Sequence, residues 1–128
     1  MFMRLPVFSK VGYFDERFFV YYEELDFSQR LAASGGSSFY NTDIRALHSG
    51  EGTTGSVKAF RLFLNLKSRL QYARKHFSFA GYILVWFCTY FIEPFSRSVL
   101  LIARGQFGEI KNVFKGYWML VSNRKLPG

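Results

Sequence analysis

The stretch from Gly12 to Gly35 constrains what this chain can fold into more than any other part of the sequence. Its first half is crowded with aromatic side chains, and a helical pattern then runs through Leu25, Phe27 and Leu31. The pair Gly35-Gly36 ends that pattern, and glycine just beyond the last periodic residue is a common C-terminal helix signal. The sequence therefore predicts an aromatic segment that leads into one short helix.

Three carboxylates, Glu23, Glu24 and Asp26, lie where this helix is predicted to begin. The unpaired N–H groups and partial positive charge of a helix N-terminus stabilise acids in the first turn by a few tenths of a kcal/mol. A second interpretation starts from their surroundings. Like charges at this spacing repel one another and apolar rings disfavour ionisation, so that the pKa of one carboxylate rises toward that of a general base. The residues by themselves leave both interpretations open.

The same stretch resembles the acceptor-side motif of the family 2 glycosyltransferases, especially their bacterial rhamnosyltransferase-like members. That motif reads Gly-Gly-Phe-Asp-Glu-x-Phe-Phe, a short aromatic spacer, and Glu-Asp-x-Asp. The matching residues are 11–19, 21–26, Arg30 and Gly35. The resemblance implies an α/β (α+β) fragment, the C-terminal portion of a GT-A-type catalytic domain. A few short strands and the motif helix would be followed by membrane-associated helices.

The resemblance also implies roles for individual residues. Glu24 stands where the family commonly has Asp and is the expected catalytic base, with Glu23 and Asp26 as supporting acids and Asp26 as the alternative base. His48 and the loop after it would hold the diphosphate of the nucleotide sugar, and His48 is also a candidate metal ligand. The full set of expected substrate-binding residues is Tyr21, Tyr22, Asp15, Arg30, His48, Thr53 and Thr54.

The activity implied by the resemblance is sugar transfer, with inversion, from a nucleotide-sugar donor to a saccharide or lipid-linked acceptor in cell-surface polysaccharide synthesis. A divalent cation, Mg²⁺ or Mn²⁺, is expected in the complete enzyme, held mostly by the nucleotide-binding half. The sequence contains neither an Asp-x-Asp motif nor a Gly-rich phosphate loop. We therefore expect a truncated chain that a separate N-terminal half would complete.

Charge divides the chain into two parts. Residues 1–51 hold five basic and seven acidic residues, whereas residues 52–128 hold twelve basic and two acidic ones. We predict an acceptor-side catalytic part over 1–55, with short strands within 1–11, 37–40 and 44–48, and membrane-associated helices over 56–128. A basic, aromatic-rich second half favours an anionic surface. No ribonucleoprotein-type motif is present, so we expect the cytoplasmic face of the cell membrane as the partner and no nucleic acid.

The second part of the sequence predicts helices of different character. Residues 56–77 carry an apolar stripe and a basic opposite face, and a last helix covers about 107–121. The uncharged run Ala80 to Ile92 is shorter than the ~20 residues of a membrane span. Because Glu93-Pro94 interrupts the apolar residues, we expect a helical hairpin in the membrane interface, with a single broken transmembrane helix as the alternative.

A function of another class remains open for this sequence. Its basic and aromatic second half also suits a non-enzymatic module that binds membrane surfaces, or the remnant of a truncated gene. The single cysteine, Cys88, excludes an internal disulfide and a Cys-rich metal site.

Overall fold

The computed structural model describes residues 5–39, 42–43 and 58–122 of the chain. Of these residues, 76% are helical and none belongs to a strand. The predicted α/β fragment is therefore wrong for the described part of the chain. Residues 44–48, predicted as a strand, lie outside it, as does the end of the strand predicted over 37–40.

The segment predicted as the first strand is instead a short helix, α1 (Leu5–Val11). Pro6 lies in its first turn, where the fixed φ of proline suits a helix and its missing N–H costs nothing. A lone strand would leave its backbone groups without partners, and the described residues provide no second strand for pairing. Local hydrogen bonding within a helix satisfies these groups without a partner.

The motif helix is present as predicted and forms α2 (Glu23–Ala33). Its C-terminal end is also as predicted, because Gly35 adopts a left-handed φ of +77° that glycine tolerates without steric cost. The N–H of Gly36 donates to the carbonyl oxygen of Leu31 at 2.9 Å, the long hydrogen bond that closes a Schellman motif.

The main core lies between α3 (Lys58–His76) and α6 (Phe107–Ser122), which match the helices predicted over 56–77 and 107–121. Gly116 of α6 lies against α3, and a Cβ added to it would be 3.0 Å from the carbonyl oxygen of Ala59. The missing side chain thus permits the close approach of the two helices. The buried core residues at this interface are Phe63, Leu66, Val113, Tyr117 and Leu120.

The apolar run forms one continuous helix, Phe79–Ala103, rather than the predicted hairpin. It consists of α4 (Phe79–Phe87), a π-helical turn (Cys88–Ile92) and α5 (Glu93–Ala103). Proline lacks an N–H and crowds the carbonyl four residues earlier, and the wider turn just before Pro94 accommodates it. Glu93 need not leave the helix, because Arg69 and Arg97 both pair with it.

We call Phe79–Ala103 the apolar helix. By length and composition it could cross a membrane, and Thr89 is its one buried residue. Arg69 of α3 donates to Thr89 at 3.0 Å, so a basic helix lies along one side of the apolar helix. Its large exposed apolar side chains are Phe79, Ile83, Leu84, Phe87, Phe91, Ile92, Phe95, Val99, Leu100 and Ile102.

Candidate active site

The site is built around Asp26, a carboxylate of α2 that is 0% exposed. Its Oδ1 lies 2.5 Å from Nζ of Lys75 and 2.6 Å from Nε2 of His76, while its Oδ2 accepts from Nε of Arg30 at 2.9 Å. Burial acts to raise the pKa of Asp26, but the hydrogen bonds from Lys75, His76 and Arg30 outweigh it and leave that pKa below its ordinary value. Asp26 therefore stays ionised and is poorly suited to accept a proton.

The guanidinium of Arg30, a residue predicted to bind substrate, makes its hydrogen bonds within the protein itself. Besides Asp26, it donates to the carbonyl oxygen of Val11 at 2.5 Å and to that of Tyr13 at 2.7 Å. These bonds connect the end of α1 and the aromatic segment to α2. In the structure Arg30 therefore holds these segments together, and its predicted contact with substrate stays a prediction.

Asp15 is the second carboxylate of this charged group. Arg17 holds it through two nitrogens, and Nζ of Lys75 lies 2.7 Å from its Oδ2. The hydrogen bond from Arg17 is the main reason that the pKa of Asp15 lies well below its usual range, although partial burial opposes the shift. Lys75 thus bridges Asp15 and Asp26. We call the six side chains concerned the Asp26 cluster: Asp15, Arg17, Asp26, Arg30, Lys75 and His76.

Glu24, the predicted base, is exposed, and its carboxylate makes no hydrogen bond to another described residue. Two positions along a helix correspond to a rotation of about 200°, so Glu24 and Asp26 point to nearly opposite sides of α2. The structure therefore does not bring them together as a carboxylate pair. Glu23 is half-buried, and its Oε2 is enclosed without a hydrogen-bond partner among the described residues.

The aromatic residues before α2 have an unusual backbone. Tyr21 and Tyr22 adopt φ angles of +67° and +69°, a left-handed conformation that costs roughly 1–3 kcal/mol for each non-glycine residue. Helix α3 holds this turn in place. Ser68 donates to the carbonyl oxygen of Val20 at 2.7 Å, and the ring of Tyr22 packs against that of Tyr72. The strained turn thereby fixes the direction in which α2 and its acidic first turn begin.

Both tyrosine side chains are also engaged by the protein. The hydroxyl of Tyr21 accepts from Nε of Arg61 at 3.3 Å, and burial raises the pKa of Tyr22. Their predicted stacking on an acceptor sugar stays a prediction. His48, Thr53 and Thr54 lie outside the described residues, so the diphosphate loop and the metal role of His48 stay predictions too. Among the described residues, no group of three or more His, Cys, Asp and Glu side chains could hold a metal ion.

A cleft of about 450 Å³ opens beside the Asp26 cluster, and sequence reasoning did not predict it. Its walls come from the segment before α2 and from the last turns of α3. Gln71 lies in one wall and keeps a buried Oε1 without a hydrogen-bond partner in the described part of the chain. We call this feature the Arg74 cleft; its lining residues are Arg17, Phe18, Gln71, Arg74 and Lys75.

Sequence reasoning also missed the residues of α3 that complete the site. Lys75 and His76 belong to an Arg-Lys-His run at the end of a predicted basic helix, and only the fold reveals that they reach Asp26. The run itself was a usable signal, because a basic cluster at a helix end can pair with a distant acid. Ser68 carried no such signal.

Comparison with known proteins gives two curated relatives, both N-acetylglucosaminyl-diphospho-decaprenol L-rhamnosyltransferases from Mycobacterium tuberculosis, of strains CDC 1551 and H37Rv. Each is 38% identical to this chain over 66 residues, which are 52% of this chain and 22% of the relative. The chain thus spans about a fifth of the length of these relatives. No family model and no solved structure matches it. The similarity supports a glycosyltransferase-like relationship.

Proposed function

We propose that this chain carries the acceptor-side part of the catalytic site of an inverting, family 2, GT-A-type glycosyltransferase. The similarity to the two rhamnosyltransferases carries the proposal, and the burial of the motif acids is the basis for choosing the base among them. Asp26 is buried in an ionic cluster, and Glu24 is exposed in the first turn of the same helix. An acid in contact with solvent can reach an incoming hydroxyl, whereas a buried acid with three hydrogen-bonded partners cannot.

In the proposed reaction, Glu24 takes the proton from the acceptor hydroxyl while that oxygen attacks the anomeric carbon of the donor sugar. The new bond joins the acceptor oxygen to that carbon, and the bond from the carbon to the nucleoside diphosphate breaks, with inversion. The departing diphosphate carries away the electron pair. His48, Thr53 and Thr54 are the proposed contacts of the diphosphate on this chain.

Asp26 acts in this scheme as a positioning residue. Through Lys75, His76 and Arg30 it connects α2 to α3 and to the end of α1, and so determines where Glu24 is presented. A divalent cation is expected for the complete enzyme. The described residues offer no cluster of ligands for one, and we do not propose them as its site.

The acceptor that we propose is a lipid-linked saccharide at the cytoplasmic face of the cell membrane. The relatives' name describes a sugar joined through a diphosphate to decaprenol. The apolar helix provides the matching surface, because ten of its large apolar side chains are exposed and Thr89 is its one buried residue. Its neighbour α3 carries seven basic side chains including His76, and each charge taken to the centre of a bilayer costs about 2.5–3.5 kcal/mol. This favours an apolar helix that lies in the membrane interface together with α3.

The decisive test is a chimera. Residues 11–35 of this chain, which carry the motif and Glu24, replace their counterparts in the mycobacterial rhamnosyltransferase, and transfer of labelled sugar to lipid-linked acceptor is measured. We expect the chimera to be active and Glu24→Gln to lower its kcat at least about 100-fold, because a general base contributes ~10²–10⁴. Gln29→Ala, which changes an exposed polar residue of the same helix outside the motif, is the matched control. Near-normal turnover with Glu24→Gln would remove Glu24 as the base, and an inactive but folded chimera would contradict the proposed function.

A membrane-surface module without activity is the second candidate, favoured by the exposed apolar helix beside a basic one. Vesicle sedimentation and binding of a nucleotide sugar by the purified chain separate the two. Binding to anionic vesicles together with a chimera that is folded and inactive would support the module.

A further inference from the structure

The Arg74 cleft has two properties that the packing of the protein does not explain. The first is the buried Oε1 of Gln71, which has no donor among the described residues. Buried acceptors are nearly always satisfied, and a small rotation of the Gln71 amide, which lines the cleft, would turn this oxygen toward a hydroxyl or amide N–H of a ligand there. The second is Arg74, an exposed cation with no ion pair in the described part of the chain.

The other lining residues make the cleft cationic with an aromatic floor. Arg17 uses Nε and Nη2 on Asp15, while its Nη1 makes no hydrogen bond to a described residue. Lys75 lies 5.8 Å from the centre of the nearly buried Phe18 ring. Three cations therefore line the cleft and no acid does. Arg17 and Lys75 are paired with acids beside the cleft, so Arg74 and Nη1 of Arg17 are the groups left to bind a phosphate ligand.

The position of the cleft says which phosphate it suits. Arg74 and Lys75 are in the last turn of α3, and the chain passes through Phe77 directly into the apolar helix at Phe79. Phe77 is 48% exposed and Phe79 is 81% exposed. The cationic end of α3 is thus followed, within a few residues along the chain, by exposed apolar side chains. This arrangement fits a ligand with an anionic head and a hydrocarbon tail better than it fits a free nucleotide sugar.

We propose that the Arg74 cleft binds the sugar-diphosphate end of a polyprenyl-diphosphate-linked acceptor. Gln71 accepts a hydrogen bond from the sugar, Arg17 and Arg74 donate to the diphosphate, and the first isoprene units leave over Phe77 and Phe79. The inference rests on the proposed function for the class of acceptor. It goes beyond that function in placing the head group at Arg17 of the motif and at Gln71 and Arg74, which the motif does not include.

The test is a binding measurement on the whole chain in detergent micelles, without any donor sugar. The probes are N-acetylglucosaminyl diphosphate farnesol, farnesyl diphosphate and inorganic diphosphate. We expect Arg74→Gln to weaken the binding of the first two probes about tenfold, because one charge-assisted hydrogen bond is lost. Gln71→Leu is expected to lower the affinity only for the probe that carries the sugar. Arg104→Gln, which removes another exposed arginine at the far end of the apolar helix, is the matched control and leaves all affinities unchanged.

Several outcomes would overturn the proposal. One is equal affinity for inorganic diphosphate and for the lipid-linked probes, which would make the cleft a site for free anions. Another is unchanged binding with both Arg74→Gln and Gln71→Leu, with folding verified by circular dichroism. These outcomes differ from those that would contradict the proposed function. If the lipid-linked probes bind in a way that depends on Arg74 but the chimera is inactive, only the transferase activity is contradicted. If sugar transfer by the chimera depends on Glu24 but binding of the lipid-linked probes is unchanged by Gln71→Leu and Arg74→Gln, only the proposed binding site in the Arg74 cleft is contradicted.

Discussion

Nζ of Lys75, in the last turn of α3, lies 2.5 Å from Oδ1 of Asp26, in the first turn of α2. This contact joins the motif helix to the basic helix that follows it in the structure. The same ammonium group also binds Asp15, which precedes α2. The acids of the motif thus serve two purposes, since those within the cluster fix the backbone and Glu24 stays free at the surface.

Removal of the Asp26 charge should destabilise the fold strongly. Asp26→Asn keeps the shape of the side chain but leaves Lys75 and Arg30 without their buried anion. Breaking a buried ion pair by removing one partner costs about 3–5 kcal/mol. Chemical denaturation monitored by circular dichroism measures the change. Glu16→Gln, at an exposed acid outside the cluster, is the control and should change the free energy of unfolding by less than about 0.5 kcal/mol. A loss below about 1 kcal/mol for Asp26→Asn would show that the cluster does not hold the fold.

The contribution of Asp26 to the free energy of unfolding should also depend on pH in a defined direction. Its pKa in the folded chain is lower than the ordinary value of 3.8, so between the two values the unfolded chain binds more protons. The stabilisation is therefore complete well above pH 3.8 and is lost as the pH falls through the lower pKa of the folded state. Denaturation of wild type and Asp26→Asn at several pH values from about 7 down to about 2 should show a constant difference that shrinks only at the acid end. A difference that shrinks between about pH 7 and about pH 5 would contradict this assignment.

Two glycines of α6 should respond in opposite directions to the same substitution. Gly116→Ala places a Cβ 3.0 Å from the carbonyl oxygen of Ala59 and from a methyl carbon of Leu62, and overpacking of this kind costs about 1–3 kcal/mol. Gly108→Ala meets open space and gains helix propensity, up to about 1 kcal/mol. Thermal unfolding compares the two variants directly. Equal shifts of Tm in both would show that α3 and α6 do not approach each other at Gly116.

The helices α2, α3 and α6 were predictable because each carries its own signal, such as the spacing of Phe63 and Leu66 or the glycine after α2. One feature of the fold was not. The continuity of the apolar helix through Pro94 depends on a wider turn before it and on Arg69, a residue of another helix that neutralises Glu93. A sequence pattern weighs only near neighbours and therefore predicts a break there.

The same reasoning applies to the candidate site. The motif directed attention to Glu24 and Asp26, and the structure separates them by burial, which a linear pattern cannot show. Lys75 and Gln71 were out of reach because they come from α3, far along the chain, and enter the site only through the packing of α3 on the motif. The base assigned to Glu24 stays a prediction.

The exposed face of the apolar helix should bind anionic membranes. Leu84 is 63% exposed on this helix, and Leu5, on α1, is 81% exposed, so that Leu84→Asp and Leu5→Asp form a matched pair. A leucine side chain transferred from water to an apolar phase gains about 1.5–3 kcal/mol, and Leu84→Asp should weaken binding to phosphatidylglycerol-containing vesicles at least about tenfold. Leu5→Asp should leave it unchanged. Sedimentation gives the affinity. In a Trp86→Phe background, quenching by brominated lipids of Trp118, which is 71% exposed on α6, reports whether α6 also contacts the bilayer. Equal vesicle binding of both variants would mean that the apolar helix does not face the membrane. A charge at its most accessible leucine would then change the affinity no more than a charge at a leucine of α1.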